Sequence, residues 1–116
     1  MDHRALIAAI PAQTKEQLLQ RSNCAGLRHL ALYAVLLGAS SAGIAAQVPL
    51  WPLLLIPQGL LLVFLFTLSH ECTHKTPFKS AWINEAVGHL VSVPIILPFT
   101  WFRYFHLAHH KWTNHP

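Results

Sequence analysis

Positions 30–69 form forty consecutive residues without an Asp, Glu, Lys or Arg. One helix needs roughly 20 apolar residues to cross about 30 Å of hydrocarbon, so this block holds enough chain for two crossings. A buried helical pair of a water-soluble protein normally carries a polar stripe, and no such stripe is visible here. The whole chain is 53% hydrophobic and 10% charged with a mean hydropathy of +0.41, whereas about a quarter of residues carry charge in ordinary soluble domains. The expected architecture is all-α: an integral membrane protein with two transmembrane helices in a hairpin, plus cytoplasmic or interfacial helices that carry the polar residues.

The spans are expected at about 30–47 and 53–69. Gly38, Ser40, Ser41, Ala42 and Gly43 supply small residues to the first, and small residues let helices approach closely in lipid. The turn between the spans contains Pro49, Trp51 and Pro52, with Trp51 placed as an interfacial anchor. Pro57 and Gly59 are expected to kink the second span.

Charge sets the orientation. Arg4, Lys15, Arg21 and Arg28 precede the apolar block, and Lys75, Lys79, Arg103 and Lys111 follow it. Two crossings return the chain to its starting side, so all the cations share one side, which the positive-inside rule makes cytoplasmic. The net charge of +4 therefore reports topology. It forms no basic patch and points to no nucleic-acid partner. Cys24 and Cys72 would face a reducing compartment, where a structural disulfide is not expected.

Before the spans, Thr14 and Gln17 have the form of a capping box opening a short surface helix, with Ser22, Asn23 and Gly26 breaking it. His29 reads as an interfacial residue. After the spans, Pro77 ends the second helix, and a further helical pattern covers about 81–93. Pro94 and Pro98 bracket an apolar Ile95-Ile96-Leu97 too short to span, a surface-lying or re-entrant segment sheltering the polar region. Trp101, Phe102, Tyr104 and Phe105 form an aromatic belt after it.

Chemistry concentrates in two histidine clusters. His70 and His74 stand four apart, and His106, His109 and His110 stand at i, i+3 and i+4, so each set gathers on one side of a helix. Five of the nine histidines fall into these patterns. Neutral imidazole is the commonest protein ligand for transition metals, including iron, zinc and copper. His70-Glu71-Cys72-Thr73-His74 also satisfies H-E-x-x-H, in which two His hold zinc and the Glu serves as general base. One catalytic zinc takes three protein ligands, however, so five ordered imidazoles suit a two-metal site better. His89 lies between the clusters, close to Asn84 and Gly88, where it could hydrogen-bond within the site.

HECTH at 70–74, HLAHH at 106–110 and the following Trp112-Thr113-Asn114 together resemble the first two histidine boxes of the membrane fatty acid desaturases. The resemblance covers about 66–114, and the pairing of boxes makes it specific. It implies a non-haem di-iron enzyme that uses O2 and two electrons to remove hydrogens from an acyl chain. Two iron ions would be the cofactor, with His70, His74, His106, His109 and His110 as ligands. Glu71 would orient a ligand imidazole from behind, and Cys72 would pack rather than ligate; the family's boxes do not call on His89. The implied partners are a lipid or acyl-chain substrate in the membrane and a separate electron donor such as ferredoxin or a cytochrome. The implied location is the inner or plasma membrane, with the boxes on the cytoplasmic side.

The family's third box, a further HxxHH, is not among these residues. Residues 1–116 are therefore expected to be the N-terminal part of a longer desaturase-like domain, binding iron weakly or not at all and turning over no substrate alone. A carotenoid hydroxylase or ketolase of the same histidine-box type, a membrane zinc metalloprotease, and a small membrane metal-binding or assembly protein are the alternative readings.

Overall fold

A computed structural model of the chain describes residues 2–113, without the side chains of His3 and Arg4. Six α-helices follow one another: α1 (His3–Ala9), α2 (Ala12–Leu19), α3 (Asn23–Ala45), α4 (Leu55–Thr73), α5 (Ala81–Ser92) and α6 (Phe99–Trp112). A 3-10 turn, Trp51–Leu54, leads into α4, and no strand occurs among the described residues.

Two of the long stretches, Ala12–Ala45 and Trp51–Thr73, contain helix long and apolar enough to cross a membrane. In the most apolar window of the second only 11% of residues are buried, and in the first none. A core helix of a soluble protein would be covered. These helices leave their apolar side chains outward, among them Leu32, Val35, Leu60 and Val63.

The starts of the helices differ from the sequence reading. Thr14 does not cap α2, because the rigid φ of Pro11 already puts that residue at the N-cap and the helix begins at Ala12. α3 opens at Asn23, earlier than expected, behind Ser22, whose hydroxyl accepts a hydrogen bond from the amide of Ala25 at 3.3 Å. Gly26 therefore lies inside the helix and breaks nothing. A Cβ there would come within 2.6 Å of the Phe78 ring and the Pro77 carbonyl, so glycine is needed for close approach. Pro57 falls in the first turn of α4, where a missing N–H costs little.

α3 and α4 touch through polar groups as well as small residues. The Tyr33 hydroxyl donates to the Leu61 carbonyl and the Ser40 hydroxyl to the Gln58 side chain, whose amide donates to Ser41 Oγ at 2.9 Å. The buried core lies at the far end of α4, where Leu65, Cys72, Phe78, Ile83, Val87, Val91 and Phe99 pack together. On α5 the buried residues recur at Ile83/Asn84, Val87/Gly88 and Val91/Ser92, the four-residue spacing of a helix face. Ser69 and Ser92 share a buried hydrogen bond of 2.8 Å between α4 and α5.

The loop leaving α4 is fastened from two sides. Asn84, fully buried, accepts from the Phe78 amide at 3.3 Å and donates to the Phe78 and Ser80 carbonyls, each at 2.9 Å. Asn23 accepts from the Ser80 amide at 2.9 Å and donates to its hydroxyl at 2.7 Å. Cys24 and Cys72 are both free thiols, the second buried in the core, as packing rather than ligation requires.

Candidate metal centre

The last turn of α4 and the second half of α6 meet at their histidines. Lys75, with φ of 57°, turns the chain out of α4 immediately after His74. α5 then packs back along α4, and α6 starts on the Phe99 anchor. This route brings His106 Nε2 to 2.8 Å from His74 Nε2, across thirty-two positions of sequence, with His110 Nε2 a further 2.9 Å from His106. The ring centroid of His70 lies 4.3 Å from that of His106 and 5.0 Å from that of His74. One nitrogen from each of His70, His74, His106 and His110 lies within 4.8 Å of all the others.

The 2.8 and 2.9 Å spacings match adjacent ligands of one metal ion, while the 4.8 Å reach of the whole group is wider than one ion spans. With metal–nitrogen bonds of about 2.1 Å, adjacent ligand nitrogens of an octahedral ion lie about 3 Å apart and opposite ones about 4.2 Å. Four neutral imidazoles are a donor set that suits iron as well as zinc or copper. His109, the fifth expected ligand, is not brought into this group. Its ring is centred 6.4 Å from that of His106 and 6.1 Å from that of His110, and its Nδ1 lies 3.0 Å from the Thr113 hydroxyl. Asn114 lies outside the described residues.

Glu71 stands behind the cluster. Its carboxylate accepts from His70 Nδ1 at 3.2 Å and from the Thr76 hydroxyl at 2.5 Å. A proton held on Nδ1 leaves the His70 Nε2 lone pair for a metal. Partial burial, and then the neighbouring imidazoles of His70, His110, His74 and His109, push His106 below its ordinary value of 6.5. It is therefore neutral, and able to ligate, at neutral pH.

His89 does not join the site. It lies 3.4 Å from Glu85 and packs edge-on against Phe99, on the outer side of α5. Sequence reasoning missed the support that α6 receives there: Arg103, one turn before His106, pairs with Glu85 and lies over the Phe99 ring. A pair eighteen residues apart on two helices leaves no local pattern to read. Thr76 was missed as well, although a hydroxyl five residues after the box glutamate is the kind of group that can hold it.

Among the described residues the chain is helical, with two long apolar and exposed helices and four imidazoles converging where the second of them ends: the arrangement of a histidine-box protein. A family profile described as "Fatty acid desaturase" matches residues 45–116, well over half the chain. The chain belongs to the fatty acid desaturase family. It is 34% identical over 109 residues to an sn-1 oleoyl-lipid 12-desaturase of Anabaena variabilis, covering 94% of this chain and 30% of that protein. It is 30% identical over 112 residues to an sn-1 acyl-lipid omega-3 desaturase (ferredoxin) of Nostoc sp. (strain 36), again 94% of this chain and 30% of the relative. With a 12-desaturase of Arthrospira platensis it shares 38% identity over 81 residues, 69% of this chain and 23% of the other. The chain thus spans under a third of the length of these curated relatives. No solved structure matches it.

Proposed function

We propose that this chain carries the first two histidine boxes of an O2-dependent di-iron enzyme that introduces double bonds into lipid-bound acyl chains. The observation that carries this reading is the convergence of His70, His74, His106 and His110 within 4.8 Å at the end of an apolar helix. In this reading α3 and α4 cross the bilayer as a hairpin. The boxes face the cytoplasm with the basic residues that flank the spans, so electrons arrive from water and acyl chains from lipid. The donor is a separate small protein, ferredoxin or a cytochrome; the Nostoc relative's name specifies ferredoxin.

Iron bound at these imidazoles would supply the chemistry that uses O2 and two electrons to remove hydrogen from an unactivated acyl chain. The four converging histidines would hold the first ion, and His109 would serve the second. Glu71 fixes the tautomer and the plane of the His70 ring, and Thr76 holds Glu71 in place. Phe102, its ring 5.4 Å from that of His106 and stacked on it, limits the tilt of that imidazole and keeps water from its face.

The test is a chimera in which residues 1–116 replace the matching segment of the Anabaena desaturase, expressed in a host lacking that enzyme. Lipid-bound double bonds at the relative's position are expected, with loss on His74→Ala. A well-folded, iron-loaded chimera with no desaturation would overturn the proposal.

A further inference from the structure

A groove of about 660 Å³ runs along the seam of α3 and α4, on the side where Glu71, not the imidazoles, is presented. Its two ends differ in chemistry. At the histidine end it is lined by Arg21, His29 and Glu71; below them Tyr33, Leu36 and Phe64 make an apolar floor and walls. From Ser22 to Leu36 the α3 side covers fifteen residues, about 21 Å end to end at 1.5 Å rise per residue. The hydrocarbon of one leaflet is about 15 Å deep. The groove is therefore long enough for one lipid chain together with its head group.

Charge selects the head group. The Glu71 carboxylate is engaged by Thr76 and His70. Arg21 donates one Nη1 hydrogen bond to the Lys75 carbonyl at 2.6 Å, which pins the guanidinium at the mouth of the groove. A guanidinium has five N–H donors, so most of its hydrogen-bonding capacity is left for an anion, and phosphate matches its fork. We propose that this groove binds a phospholipid, its phosphate on Arg21 and one acyl chain between α3 and α4. The inference rests on the reading of α3 and α4 as membrane spans, but it needs neither metal nor turnover.

The test uses the chain reconstituted in vesicles and measures the motionally restricted fraction of two spin-labelled lipids, phosphatidylglycerol and a phosphate-free galactosyl diacylglycerol. Phosphatidylglycerol is expected to be restricted several-fold more strongly. Arg21→Gln removes that preference, Arg21→Lys restores part of it, and Arg28→Gln, on α3 but outside the groove, leaves it unchanged. Ala25→Phe, which fills the groove, reduces restriction of both lipids. Equal restriction of the two lipids by the wild-type chain overturns the proposal, as does an equal loss from Arg28→Gln or displacement by soluble glycerol 3-phosphate. Release of the chain from membranes by alkaline carbonate would instead sink the spanning helices, and the vesicle measurement separates the two failures.

Discussion

Phe99 fills the space that any side chain at Gly88 would need: a Cβ on Gly88 would lie 2.2 Å from its ring. This contact seats the first turn of α6 on the middle of α5, and α6 carries His106 and His110. Gly88→Ala is therefore expected to cost about 1–3 kcal/mol through overpacking. The loss should appear as a lower melting temperature in detergent and as weaker metal binding. A variant that melts like the wild type would show that α6 is placed by other contacts.

Removing imidazoles one at a time should divide the second box. His106→Ala takes away the ring that touches both His74 and His110, and Co(II) or Fe(II) titration should then show the first ion nearly lost. His109→Ala should leave that first binding event almost unchanged, because its ring lies apart. Equal losses from the two variants would place His109 in the same coordination sphere.

Glu71→Gln separates an orienting role from a general-base role. Loss of a carboxylate behind a ligating imidazole is expected to weaken metal binding about 10–100-fold while leaving measurable desaturation in the chimera. Thr76→Val, which releases the carboxylate without removing it, should show a smaller effect in the same direction. An unchanged metal affinity in Glu71→Gln would rule out the orienting role.

The pH dependence follows from His106. Its pKa lies below 6.5, so the unfolded chain takes up its proton before the folded one does. The neutral ring's contribution to the fold is complete above 6.5 and is lost as pH falls through the lower folded value. Metal binding needs the same neutral ring. The contribution of His106, read as the difference in metal-free melting temperature between the wild type and His106→Asn, should be constant from pH 8 to 7 and shrink as pH falls below 6.5, whereas a difference independent of pH would contradict the assignment.

Asn84→Leu should be among the more damaging substitutions remote from the imidazoles. It leaves the buried Phe78 amide and carbonyl without their partner, at about 1–3 kcal/mol for each group left unsatisfied, while the Ser80 carbonyl keeps the backbone amide of residue 84. Thermal denaturation compared with Asn84→Asp, which keeps the accepting oxygen, checks this.

The apolar block and the two histidine clusters were legible in the sequence because each is a local pattern: an uninterrupted run, and a four-residue spacing. The beginning of α3 was not, since Arg28 and His29 look like a boundary yet sit on an exposed helical face where their charge and polarity cost the helix nothing. Gly26 was misread for a related reason, as its use depends on Phe78, which no local window contains. The position of His109 shows the limit of spacing arguments. At about 100° per residue, His110 stands about 40° from His106 on one side and His109 about 60° away on the other, so α6 can aim only one of them at His74. Which one it aims is decided by Phe99, Gly88 and the Arg103–Glu85 pair, all tertiary.

The two asparagines that grip residues 78–80 have a mechanical consequence. Asn23 opens α3 and Asn84 belongs to α5, so the strap leaving His74 is bolted to the outermost helix as well as to the innermost. A displacement of α3 relative to α5 therefore pulls on the root of the first imidazole pair and is not absorbed by a slack loop.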